Sequence, residues 1–194
     1  MMRPRFALPL LVGLLAAVES AAQVDPKTPS IQPPAQDRSN QSPSGQLGVS
    51  GRVFVGERAP DFELSGSSGH ARKLSQLRGD WVLLVFTERK EQLAALREVH
   101  SDLQTVGVKL IAVSGDNPQS LRAYAKRQEL PFEVLSDPTR QIAAVYGLFD
   151  HGRNWILPGF LVLDRAGIVR MALLGQALPS DQIAALTRYT IDQR

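Results

Sequence analysis

Trp81-Val-Leu-Leu-Val-Phe86, followed at once by Thr87-Glu-Arg-Lys-Glu-Gln92, is the stretch on which the fold turns. Six apolar residues in unbroken succession predict a strand covered on both faces, because a half-exposed strand would alternate. From Lys90 to Val106 the pattern changes: Leu93, Leu96, Val99 and Leu103 recur at three- and four-residue spacing. That period places them on one face of an amphipathic helix, and Gly107 supplies its stop. Lys109–Val113 is a second short apolar run. A strand, a helix and a strand of these lengths form a right-handed βαβ unit with parallel strands.

Working outward, Asp116–Gln128 reads as a helix with Asp116 or Asn117 as cap and Pro118 at its first position. Phe132–Leu135 is a strand, and Pro138–Tyr146 a short helix stopped by Gly147. Phe160–Leu163 and Ile168–Leu174 flank Asp164-Arg-Ala-Gly167, a hairpin signal. Ser180–Thr190 is the last helix, with Ser180 as cap. Upstream, Phe62–Leu64 suits an edge strand, and Leu74-Ser-Gln-Leu77 closes a turn that ends at Gly79. Parallel crossovers followed by an antiparallel hairpin and a terminal helix predict an α/β fold: a mixed β-sheet flanked by helices on both faces.

The chain opens Met1-Met-Arg-Pro-Arg5, runs apolar from Phe6 to Val18, and then offers the small residues Ser20 and Ala22. The apolar run is too short to span a bilayer. A basic start, a short apolar run and small-x-small spacing predict a signal peptide over residues 1–22, with an uncleaved interfacial anchor as the alternative. Either places the domain outside the cytoplasm, periplasmic or secreted, with no transmembrane segment in the mature chain. Residues 23–50 are rich in Pro, Ser, Gln and Asn and poor in large apolar residues. They read as a disordered linker, because they bury too little surface to offset their ordering entropy. The globular domain is expected over residues 51–194.

Composition narrows the chemistry. The 194 residues contain no cysteine, which excludes disulfides, thiolate nucleophiles and thiolate-held metals. His70, His100 and His151 stand far apart, without neighbours at metal-ligand spacing, and no cofactor or metal is expected. Hydrophobic and charged contents of 43% and 21% are ordinary for a globular domain. The net charge of +3 is spread without a basic run, so nucleic acid is not an expected partner.

Four blocks together resemble a known family. Val55-Gly-Glu-Arg-Ala-Pro-Asp-Phe-Glu-Leu64 with Leu74-Ser-Gln-Leu-Arg-Gly79, then Val113-Ser-Gly-Asp116, then Leu130-Pro-Phe-Glu-Val-Leu-Ser-Asp-Pro138 with Ala143-Ala-Val-Tyr-Gly147, and finally Phe160-Leu-Val-Leu-Asp-Arg-Ala-Gly167 are similar to the peroxiredoxin/redoxin (AhpC/TSA) family. Their order and spacing match over most of the globular part. The resemblance implies a thioredoxin-like fold and a thiol-dependent peroxidase or oxidoreductase. In that family a cysteine-bearing loop joins the first buried strand to the first helix. Here the strand passes through Thr87, Glu88 and Arg89 directly into the helix. No position inherits the reactive cysteine, and Thr87 lies too close to the strand to inherit the active-site threonine.

Pro158 falls where thioredoxin-like proteins carry a cis-proline, so a cis Leu157–Pro158 bond is expected from the resemblance. Thr87, Glu88 and Arg89 with Pro158 and Gly159 form the candidate residual groove, the alternative being that Pro158 marks a structural turn only. Glu88-Arg-Lys-Glu91 either binds a charged ligand or is a solvated first helical turn with an ion pair along the helix. Trp155, in the polar loop His151-Gly-Arg-Asn-Trp155, is either an interface anchor for a protein or peptide partner or a cap on the sheet edge. Trp81 belongs to the core. Three functions are compatible with these residues: a non-catalytic binding or accessory module, an antioxidant component acting with a partner's thiol, and a structural domain of an envelope assembly.

Overall fold

The computed structural model describes residues 53–193. The segments read as signal peptide and linker lie outside the described residues. Among the described residues, nine strands and four α-helices follow one another, with a 3-10 turn at Leu74–Leu77 between the second and third strands: β1 (Glu63–Gly66), β2 (Ala71–Lys73), β3 (Trp81–Phe86), α1 (Lys90–Thr105), β4 (Val108–Ser114), α2 (Pro118–Arg127), β5 (Glu133–Ser136), α3 (Gln141–Val145), β6 (Phe149–Asp150), β7 (Trp155–Ile156), β8 (Gly159–Leu163), β9 (Val169–Leu174) and α4 (Ser180–Asp192).

Seven strands form one sheet in the order β2-β1-β5-β4-β3-β8-β9. The centre, β5-β4-β3, is parallel, as the predicted βαβ crossovers require. β8 and β9 extend it antiparallel on one side, and β1 and β2 do so on the other. Every residue of β3 is buried, which is why its sequence does not alternate.

The two faces of β3 feed two cores. Val82, Leu84 and Phe86 pack with Leu161, Leu163 and α3, while Leu83 and Val85 pack with α1, α2 and α4 through Leu93, Leu121 and Ile183. Each fully buried side chain of this size contributes about 1.5–3 kcal/mol. Tyr146 anchors the α3 side. Its buried ring stacks near Phe86 and Phe62, and its hydroxyl donates to the Pro60 carbonyl at 2.6 Å. Helices lie on both faces of a mixed sheet, as the pattern of the sequence predicts, and the arrangement is the thioredoxin-like fold that the family resemblance implies.

Several local expectations need correction. The Leu157–Pro158 peptide is trans, since no cis bond occurs among the described residues. An X-Pro bond prefers trans by about 0.5–1 kcal/mol unless a tight turn demands otherwise. Here Leu157 donates to the Leu148 carbonyl and the chain runs on into β8, so no such turn exists. The strand expected over Phe160–Leu163 nonetheless forms as β8, which pairs antiparallel with β3 and sets Phe160 opposite Val85. β1 is not an edge strand, because β2, a three-residue strand too short to show a period, pairs outside it. Helix α3 is shorter than Pro138–Tyr146 because Asp137 accepts from Ala143 N–H and Arg140 adopts a left-handed conformation (φ 58°) before the first turn. Ser180 is the first residue of α4, not its side-chain cap. Asn117 does cap α2, accepting the Ser120 N–H at 2.9 Å ahead of Pro118.

Candidate functional site

Three residues separate β3 from α1, and each has a defined task. Thr87 is fully buried. Its N–H donates to the Val113 carbonyl, prolonging the β3–β4 ladder, and its Oγ1 accepts the Arg89 N–H at 3.0 Å. The hydroxyl thereby turns the chain into the helix, a local bond that short polar side chains favour.

Glu88 turns inward. Its side chain is only 8% exposed, and Oε1 accepts from Arg140 Nε at 3.0 Å and from the Ile156 N–H at 3.2 Å. The left-handed backbone of Arg140 lies just before α3, and its Nη1 donates to the Pro138 carbonyl. Gly115, directly after β4, leaves the space that the carboxylate uses. A β-carbon there would overlap Glu88 Oε1 and lie 3.3 Å from Arg140 Cζ.

Arg89 is exposed at the helix start. Lys90 reaches across to Asp116 at 3.6 Å and stands 5.8 Å above the Tyr124 ring, whose hydroxyl donates to the Lys90 carbonyl at 2.6 Å. The Tyr124 phenol is held above its ordinary value, first by burial and then by the Glu91 carboxylate, with Arg127 opposing. The ion pairs of Glu88 and Lys90 therefore run to Arg140, just before α3, and to Asp116 in the β4–α2 loop rather than along α1, which corrects the picture of a solvated first turn.

A cleft of about 360 Å³ opens beside this junction, bordered by Glu88, Arg89, Gly115, Asp116, Arg140 and Trp155. Arg89, Lys90 and Arg140 balance Glu88, Glu91 and Asp116 around it, so it carries no strong field of either sign. Trp155 is 40% exposed at the rim. It sits on a small β6–β7 hairpin rather than in the polar loop expected there, with Asn154 left-handed (φ 50°) and Phe149 edge-on to His151.

Pro158 and Gly159 do not border the cleft. Gly159 is buried opposite Phe86, and a β-carbon on it would come 2.8 Å from the Leu173 carbonyl oxygen. Of the proposed groove, then, Glu88 and Arg89 reach the cleft, whereas Thr87 and Gly159 lie in the core. Arg140, Gly115 and the Ile156 amide were not anticipated. They stand 52, 27 and 68 positions from Glu88, and no local pattern ties them to it.

Nucleophiles and metal sites are scarce here. The chain has no thiol, and the described residues hold no cluster of three His, Asp or Glu able to bind a metal ion. No helix among them is long and apolar enough to cross a membrane.

A mixed sheet with this strand order, entered by a helix straight after its central strand, defines a thioredoxin-fold domain of the redoxin class. The sequence model of the AhpC/TSA family matches residues 55–172. The chain belongs to the AhpC/TSA family. It is 30% identical to a chloroplastic peroxiredoxin Q of Gentiana triflora over 84% of this chain and 76% of that one. It is 27% identical to a chloroplastic peroxiredoxin Q of Populus jackii over 93% and 92%. Among solved structures, Enterococcus faecalis AhpC superposes with a TM-score of 0.66 over 72% of this chain and 93% of that one, at 15% identity, which is a likeness of fold.

Proposed function

We propose that this chain is an exported AhpC/TSA-family domain that works as a non-catalytic binding or accessory module. The observation that carries the reading is the β3–α1 junction, where a chain without cysteine enters the helix after three residues. A thiol-peroxidase cycle needs a sulfur that is oxidised and then resolved. The hydroxyls nearby are no substitute: Thr87 is buried and bonded to Arg89, and Tyr124 is committed to the Lys90 carbonyl. The cleft with Trp155 at its rim is the binding surface this reading uses, since exposed aromatic side chains are frequent anchors of partners. The deciding assay is loss of hydrogen peroxide or organic hydroperoxide with thioredoxin, glutaredoxin or dithiothreitol as reductant and chelator present. No loss above buffer is expected. Turnover proportional to protein would overturn the reading.

Export rests on the basic start, the apolar run Phe6–Val18, and Ser20 with Ala22. The peroxiredoxin Q relatives are chloroplastic by name, but an organellar leader is amphipathic and rich in Ser and Arg, and Phe6–Val18 contains neither. Mass spectrometry of the mature protein should find Gln23 first. A chain beginning at Met1 or Met2 in envelope fractions would refute cleavage.

A further inference from the structure

We propose that Glu88 is a tethered internal ligand: its carboxylate fills, from within, a carboxylate-binding site built by Arg140 Nε and the Ile156 N–H. The site lies at the inner wall of the cleft and rests on the same geometry as the binding reading. It adds the chemical class of what that cleft takes, a monocarboxylate, and the contact that keeps it closed.

Three observations distinguish this arrangement from an incidental surface pair. First, two donors from separate segments converge on one oxygen, at 3.0 and 3.2 Å, and the carboxylate they hold is 8% exposed. Charge-assisted bonds of this kind are about twice as strong as neutral ones. Second, the Ile156 amide points out of its own hairpin, because hydrogen-bonded and non-bonded pairs alternate along an antiparallel ladder and the pair next to Phe149–Ile156 is the bonded one. The bond beside it is made by Leu157 N–H to the Leu148 carbonyl, which leaves Ile156 N–H directed at Glu88. Third, the surroundings are shaped for the carboxylate. Arg140 is held in a left-handed backbone conformation that a non-glycine residue adopts only at a cost, and Gly115 provides the volume that the oxygen occupies.

Glu88 also differs from a catalytic group. It touches no thiol and no second nucleophile, and both of its donors are satisfied by it alone. Removing its side chain leaves a guanidinium edge and a backbone N–H facing a vacated space of carboxylate size beside the cleft. A small carboxylate supplied from solution restores the same two bonds without any covalent step.

The test uses the full chain carrying Glu88→Ala, titrated with sodium formate and sodium acetate against sodium chloride at matched ionic strength. Thermal unfolding and the ¹⁵N shift of the Ile156 amide are followed. The expected result is a saturable gain in melting temperature, with half-saturation on the order of 10 mM for a site of two charge-assisted donors, and return of the Ile156 amide toward its wild-type shift. The wild-type chain should bind at least roughly tenfold more weakly, since Glu88 competes at high effective concentration. Glu88→Ala/Arg140→Met should lose the response. A folded Glu88→Ala chain that responds to formate no differently from chloride overturns the proposal, as does a wild-type chain that binds equally well. Should Glu88→Ala fail to fold, Glu88→Gln carries the test. Its neutral amide should yield the site to formate at lower concentration than Glu88 does, and an unmoved Ile156 amide in that variant overturns the proposal. The readout is binding, so peroxide turnover would end the non-catalytic reading without touching this one.

Discussion

Substituting Arg140 by alanine and by glycine separates two contributions that meet at one residue. Arg140 neutralises a carboxylate that is 8% exposed, and it does so from a left-handed backbone (φ 58°). Removing one partner of a buried pair costs about 3–5 kcal/mol, because the remaining charge stays desolvated. The Arg140 side chain keeps 20% exposure, so water partly relieves the stranded carboxylate. Arg140→Ala should therefore lose about 2–3 kcal/mol, at or below the low end of that range. Arg140→Gly loses the same ion pair but sheds about 1–2 kcal/mol of left-handed strain. The greater freedom of glycine in the unfolded chain returns about 0.5–1 kcal/mol of that. The glycine variant should thus be the more stable of the two by about 0.5–1 kcal/mol, the reverse of their order inside a helix. Urea unfolding followed by circular dichroism, extrapolated to water, measures both differences. An alanine variant within about 0.5 kcal/mol of the parent would refute the claim that Glu88 depends on Arg140. A glycine variant less stable than alanine would refute the strain argument.

Thr87→Cys and Glu88→Cys should gain no peroxidase activity. Position 87 is sealed in the core and position 88 faces Arg140 in a junction of three residues; peroxide loss rising with either variant would contradict this. Gly159→Ala should cost about 1–3 kcal/mol by overpacking, because its methyl would press on the Leu173 carbonyl oxygen and Leu148, and a shift in urea midpoint reads it. Tyr146→Phe should cost about 1–2 kcal/mol, since it strands the Pro60 carbonyl that the buried hydroxyl serves. Asp164 supplies an acid-side dependence. Burial pushes its carboxyl up, but the Ile168 N–H, Arg170 and the Ala166 N–H outweigh burial and hold it below the ordinary carboxylate range. Its folded value lies below the unfolded value of about 3.9, so its contribution is complete above that pH and disappears as pH falls through the folded value. Asp164→Asn should lower stability at pH 7 and flatten the decline below about pH 4; an unchanged acid limb in urea titrations would contradict the assignment.

The amphipathic period of α1, the unbroken apolar runs of β3 and β4, and the Asn117-Pro118 start of α2 were legible because helix and strand periodicity are local properties. The Asp164–Gly167 hairpin was legible for the same reason. The strands of β2, β6 and β7 are two or three residues long, too short for a period to register. The bond before Pro158 is trans despite the family resemblance, because a resemblance carries a turn's isomer only if the neighbouring loop is carried with it.

The absence of any thiol, and the direct passage from strand to helix at residues 87–89, are determined by the sequence alone, since composition and chain length do not depend on folding. What Glu88 does is not. In the sequence it stands among Arg89, Lys90 and Glu91 as one charge of a polar helix start. Its burial follows from Arg140, Gly115 and Ile156, which the sheet and the hairpin bring to it from three other segments. A carboxylate is tolerated in such a place only when donors meet it, and where those donors lie is a matter of tertiary packing that no local pattern encodes.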